Sequence, residues 1–392
     1  MSERAATTSR KTKASEHAQP PSLGAPSSPK EGTPLIPPYA PSWINRFADW
    51  VDRLPGPAWG FYLLVSLVLL ALQWAIQVAA GRAVDGFNLL VAVTVPYELG
   101  LMHYLIRTSA GALEEMRPAL RANETEAEAL RFRLTTVPAR PVVLVGLAVS
   151  LISILLVVAS VTLPPATAIL GAGGLQVRSL ADAARVFRIA PTPLSLGFTS
   201  VIVLASWWAT AAYGYLSLHQ LRLIGTIYAH HTEIRMFRLG SLYAFSRHTL
   251  RSSLGLLLLA YGLFVTAPDL MEGGLALGSW MLLLSGAVAT FLLPLLGIHR
   301  QLAREKERML QEMGHRMEAA VAELHRRVDD NDLARMDDLN KTLASLEIER
   351  AALERVPTWP WQPETLRSLV AALLLPLALW LVQVFLQRLL GG

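Results

Sequence analysis

The sequence predicts an all-α polytopic integral membrane protein with about seven transmembrane helices and a cytoplasmic helical hairpin. Three observations predict it. The 392 residues are 53% hydrophobic and only 17% charged, with a mean hydropathy of +0.39, whereas a soluble domain carries about 25% charge. The apolar residues gather in seven runs close to the length of a membrane span. Of 35 Lys and Arg, 30 fall on one side of those runs.

Residues 1–40 are rich in Ser, Thr, Ala, Pro and Lys with almost no periodic apolar positions. They read as a disordered cytoplasmic tail, since too little apolar surface is present to offset ordering entropy. No signal-peptide pattern opens the chain. Residues 41–55 differ: Ile44, Phe47, Trp50, Val51 and Leu54 repeat at helical spacing behind Ser42, a capping residue, and Pro55 ends the run. Two tryptophans directly before a long apolar stretch predict a helix in the membrane interface.

The spans are expected at Ala58–Ala79, Leu89–Ile106, Val142–Leu163, Leu194–Leu216, Leu254–Ala267, Leu275–Ile298 and Leu366–Leu386. The second holds Pro96, Glu98 and His103, and a re-entrant segment is its alternative. The fifth reaches full length if its helix begins near Ser246. With the N-terminus inside, segments 1–57, 107–141, 217–253 and 299–365 hold seven, six, five and eleven basic residues, and Arg367 lies at the inner edge of the last span. The outer segments hold one, three, none and one. This asymmetry places the chain in a cell (inner or plasma) membrane with its C-terminus outside.

Thus 58–298 forms a six-span region that includes a cytoplasmic helix over 109–134. Residues 366–392 supply the seventh span. Residues 299–365 carry two arms of 3–4 spacing: Leu310, Met313, Met317, Ala320 and Leu324, then Met336, Leu339, Leu343, Leu346 and Leu353. Asp329, Asp330, Asn331 and Asp332 separate them as a turn and cap signal. This pattern is a helical hairpin, paired within or between subunits, and Arg350 interrupts its apolar seam. The outer loop Pro164–Pro193 offers a short helix from Ser179 and no room for a ligand domain. In layout the chain is similar to the seven-span chemoreceptor-type channels of insects, which also keep the N-terminus inside and place helical mass before the final span. The likeness is one of topology; no motif matches residue by residue, and no site follows from it.

Ionisable and amide groups inside a bilayer are costly and point to function or to hydrogen bonds between helices. The candidate intramembrane polar site comprises Glu98 and Thr94, which share a helix face, His103, which lies roughly 140° from Glu98, and Gln73, Gln77 and Gln383. Ser206, Thr210 and Gly214, like Gly146 and Ser150, form small-residue ridges for close packing. Arg222, Arg235, Arg238, Arg247 and Arg251, with Phe237, Tyr243 and Phe245 between them, are candidate contacts to anionic lipid.

No cysteine is present, which excludes disulfides and thiolate chemistry. His219, His230, His231 and Glu233 lack chelating spacing, and Glu312-x-x-His315 lacks the second motif a di-iron bundle needs. Phosphate-loop, dinucleotide, hydrolase and kinase motifs are missing. The expectation is therefore no enzyme, no cofactor, no metal and no nucleic acid. The partners expected are the bilayer and either a second copy or a cytoplasmic protein bound through 299–365. Two functions fit: an oligomeric channel or passive permeation protein, and a membrane sensor or scaffold that recruits a cytoplasmic partner.

Overall fold

A computed structural model describes residues 38–81, 83–162, 192–266, 274–332, 334 and 336–390. The outer loop with its helix from Ser179, and residues 1–37 of the tail, lie outside the described residues. Among these, ten α-helices and no strands occur: α1 (Trp43–Val51), α2 (Ala58–Ala79), α3 (Gly86–Met116), α4 (Glu124–Thr135), α5 (Ala139–Thr162), α6 (Pro193–His230), α7 (Tyr243–Thr266), α8 (Gly274–Asp329), α9 (Met336–Arg355) and α10 (Pro363–Leu390).

Five helices are long and apolar enough to cross a membrane, over Ala58–Ala79, Gly86–Ala119, Pro193–His230, Gly240–Thr266 and Leu283–Asp329. Their burial pattern is inverted relative to a soluble bundle. α2 buries Tyr62, Gln73 and Gln77 and turns Leu63, Leu64, Leu67, Val68, Leu72 and Val78 outward. α5 likewise exposes Leu144, Leu147, Leu151 and Leu155. Such an arrangement suits a hydrocarbon solvent, where polar groups must be satisfied inside the protein.

Three elements differ from expectation, each for a physical reason, and the fifth run meets its condition for full length. α3 does not stop at Ile106 but continues to Met116, because leaving an apolar stretch does not interrupt helical hydrogen bonding. The single helix expected over 109–134 is two. Pro118 sits in a 3-10 turn after α3, and α4 restarts with a capping box in which Asn123 and Glu126 satisfy each other's backbone N–H groups. Between them, Arg121 N–H donates to His231 O at 2.7 Å and Glu233 N–H to Ala119 O at 2.7 Å, pairing this loop with the one after α6. The fifth run becomes full length because α7 starts at Tyr243. The sixth run is the first part of a 56-residue helix, about 84 Å long at 1.5 Å per residue.

α1 packs its buried side, Ile44, Asn45, Ala48 and Val51, against protein. Ile44 joins a cluster with Met102, Leu105, Val142 and Leu216. Ser42 makes no side-chain cap; its hydroxyl donates to Asn45 Oδ1, while Asn45 Nδ2 donates to Thr135 O at 2.7 Å and its Oδ1 accepts from Val137 N–H at 2.9 Å. Phe47 and the exposed Trp50 face the ring of Phe61. The largest buried cluster gathers Met116, Leu134, Ile227, Tyr228, Phe245, Phe291 and Ile298. It sits where α3, α4, α6, α7 and α8 converge.

Beyond this cluster the second part of α8 and α9 pack side by side and antiparallel. Lys306 Nζ donates to Glu354 O at 2.7 Å and Val356 O at 2.8 Å, capping the end of α9. Below it His299, Trp359 and Trp361 stack face to face, with centroids 3.8 and 4.2 Å apart.

Candidate functional site: a buried polar file between three helices

Polar residues recur along one face of α6. Thr199, Ser206, Thr210, Tyr213, Ser217 and Gln220 are separated by seven, four, three, four and three positions, which keeps them within about 80° of arc. That face meets α3 and α7, and polar residues of both helices meet it.

Glu98 lies near the middle of the file. It stands twelve residues into α3, about 18 Å from the helix start, and is 1% exposed. Thr210 Oγ1 donates to Glu98 Oε1 at 2.7 Å. Glu98 Oε2 has no hydrogen-bond partner among the described residues. Thr210 is itself exposed, so the carboxyl lies one hydroxyl below the surface of the helix cluster.

Toward the C-terminal end of α6 the file continues through side chains that both donate and accept. Tyr213 Oη donates to Ser252 O at 2.9 Å, beside the Ser252 hydroxyl and close to Ser217. Gln220 Nε2 donates to Leu134 O at 3.3 Å, which turns Oε1 toward His248. His248 Nε2 stands 3.2 Å from Oε1, so this nitrogen carries a proton, and Nδ1 faces Thr108 Oγ1 at 3.3 Å. Ser253 Oγ donates to Ala287 O at 2.8 Å, tying α7 to α8. Toward the N-terminal end of α6, Ser206 Oγ donates to Val91 O at 3.2 Å and Gln73 Nε2 to Thr199 Oγ1 at 3.5 Å.

The sequence candidates separate into groups. Thr94 does not reach Glu98; its hydroxyl donates to Leu90 O at 3.0 Å. Gln73 joins the file across helices. Gln77 instead accepts from the backbone N–H of Asp85 at 2.6 Å and fastens the turn between α2 and α3. The side chain of Gln383 lies outside the described residues. His103 belongs to a second cluster. Its Nε2 donates to Asp52 Oδ1 at 3.0 Å and Tyr62 Oη donates to its Nδ1 at 3.1 Å, while Arg107 holds Asp49 at 2.9 Å and also Asp52. This cluster binds the end of α1 to α2 and α3. Tyr213, Ser252, Gln220, His248 and Thr108 were not among the candidates. The seven-four-three spacing on α6 is the sequence signal that points to two of these five, Tyr213 and Gln220.

The small-residue ridges divide too. Gly146 of α5 receives the Trp208 ring, whereas nothing within 4 Å would meet a Cβ at Gly214. Of the five arginines, Arg235 pairs with Glu233 at 3.1 Å, Arg247 pairs with Glu115, and Arg251 lies 5.9 Å from the centre of the Tyr104 ring. Arg222 and Arg238 are exposed, as is Phe237. Among the described residues no three His, Asp or Glu side chains are grouped to hold a metal ion.

Comparison with family models, with curated proteins and with solved structures finds no match.

Proposed function

We propose that this is a channel-like permeation protein of the cell membrane, with seven spans and its N-terminus inside, and that the polar file carries protons. The observation that carries the reading is Glu98: an ionisable group buried at mid-span, with one oxygen held by a hydroxyl and the other without a hydrogen-bond partner among the described residues. A carboxyl at this depth is costly without a role. Hydroxyls and imidazole can pass a proton because each donates and accepts. From Ser206 to Gln220 the rungs stand one helical turn apart, within reach of a bridging water, and two turns separate Ser206 from Thr199.

The seven-span count adds α5 and α10 to the five long apolar helices. With seven, the loop pairing near α4 and the antiparallel α8–α9 hairpin fall on the basic, inner side. The exposed arginines and Phe237 then meet anionic headgroups there. No catalytic step is assigned.

The test is flux into proteoliposomes loaded with a pH-sensitive dye, under a potassium diffusion potential. The expected result is proton entry well above empty vesicles. Glu98→Gln should lower it by at least about tenfold, the loss that roughly 1.4 kcal/mol of barrier gives. Thr210→Val should give an intermediate rate. Entry no faster than in empty vesicles, or unaltered entry with Glu98→Gln, overturns the proposal.

A second reading, a scaffold that recruits a cytoplasmic protein, draws on the same hairpin. Ile348 of α9 is 71% exposed there. Recovery of one defined partner by the full chain, lost on Ile348→Glu, would support it.

A further inference from the structure

The α8–α9 hairpin carries an open groove of about 410 Å³ on its side. Gly314, Met317, Val321 and Ala322 make its apolar lining, or floor, and Glu318, His325 and Arg350 its polar lining, or rim. Two residues open it. A Cβ at Gly314 would meet nothing within 4 Å. Arg350 takes the seam position between Leu346 and Leu353, and its guanidinium is held aside by Glu354 at 3.0 Å. Met313 and Leu353 are buried directly below, so the gap is local and does not reflect a loose hairpin.

Position excludes lipid as its cover. Gly314 lies sixteen residues beyond Ile298, about 24 Å further along α8. The lining positions on α8 advance by three, one, three, one and three, which makes one continuous face of about three turns. A second helix fits such a face.

We infer that the groove receives the same hairpin of a second copy of this chain, forming a four-helix bundle about a two-fold axis. The rim favours this occupant. A two-fold interface presents the same patch to itself, so a rim of one sign would repel its mate. Here both signs are present, and Glu318 of one copy can face Arg350 of the other. The small floor residues admit close approach of the helices. The inference rests on the assembly part of the channel reading and is independent of the polar file.

The chain has no cysteine, so single cysteines report cleanly. Full-length Ala322→Cys in native membranes, treated with a short bismaleimide, should give a covalent dimer. Ile348→Cys, two positions from the seam and so about 200° round α9, should not. In the Ala322→Cys background, Gly314→Leu should cut the dimer yield about tenfold. Glu318→Arg should lower the yield and Arg350→Glu added to it should restore it, which shows that the single variant folds. No dimer with Ala322→Cys, equal yield from Ile348→Cys, failure of the double swap to restore, or attachment of a different protein at Ala322→Cys overturns the inference. Dimer loss with proton flux intact leaves the permeation reading standing. Flux lost through Glu98→Gln with the dimer intact leaves the interface standing.

Discussion

Single missing side chains govern how closely the spans approach. A Cβ at Gly146 would stand 2.8 Å from the Trp208 indole, a broad rigid ring that must swing as a whole to give way. One at Gly255 would meet Leu101, with its two δ carbons nearest, and the branched end of a leucine can turn. Gly146→Ala should therefore cost about 1–3 kcal/mol, and Gly255→Ala under about 1 kcal/mol. Thermal unfolding in detergent should rank the two in that order. The same scale shows what a linear reading misses. Glu98 announces itself because an acid within an apolar run has few ordinary explanations. Its partner Thr210 lies 112 positions away and is an unremarkable threonine until the neighbouring helix is known. Periodicity assigned Thr94 to the same face as Glu98, but a threonine in a helix has its own carbonyl ladder within reach, and that bond forms instead.

At the scale of elements, apolar runs located the long apolar helices and misjudged where helices end. Hydropathy falls when a helix leaves the membrane, yet its backbone bonds continue, so α3 and α8 exceed their apolar parts by ten and by thirty-one residues. The break between α3 and α4 carries local signals, Pro118 and the Asn123–Glu126 capping box, and adds a pairing with the distant His231 and Glu233, which local sequence does not display. Caps are local and were more legible: the Asp329–Asp332 cluster does mark the turn before α9. At that turn Arg326 and Arg327 hold the Glu323 carboxyl down to about 2. A depressed carboxyl stabilises the folded form above its unfolded value of about 4.3 and loses that effect as pH falls toward 2. Pepsin nicking of the solubilised chain near Asp330 should thus rise as pH drops from about 4 to about 2. Glu323→Gln should show the raised nicking already at the upper limit. At the other end of the hairpin, Lys306→Met removes two donors and a charge from the last turn of α9, with an expected loss of about 1 kcal/mol. Slower amide exchange at Val356 than at Gln362 should disappear with it.

For the molecule as a whole, composition was the most legible property. A 53% hydrophobic chain with 17% charge folds with leucines outward and glutamines inward. The side of each loop is a prediction of the basic-residue distribution. A membrane-impermeant maleimide applied to intact cells should label Ala83→Cys and leave Ser345→Cys untouched until the membrane is opened. The opposite pattern would invert the proposed orientation. The polar file as a unit was not legible, because it belongs to no helix by itself. It exists only where α3, α6 and α7 meet, and its members are seen to be aligned once those contacts are known.

The continuity of α8 has a mechanical consequence. Pro294 removes one backbone donor within it and is its natural pivot. From there to Asp329 the rod extends about 53 Å, while Ala287, which receives the Ser253 hydroxyl, lies only seven residues on the other side. Unequal arms make a lever. One degree of tilt at the pivot sweeps the tip through nearly 1 Å and displaces the Ser253 contact by about a fifth as much, with the force magnified in the same ratio.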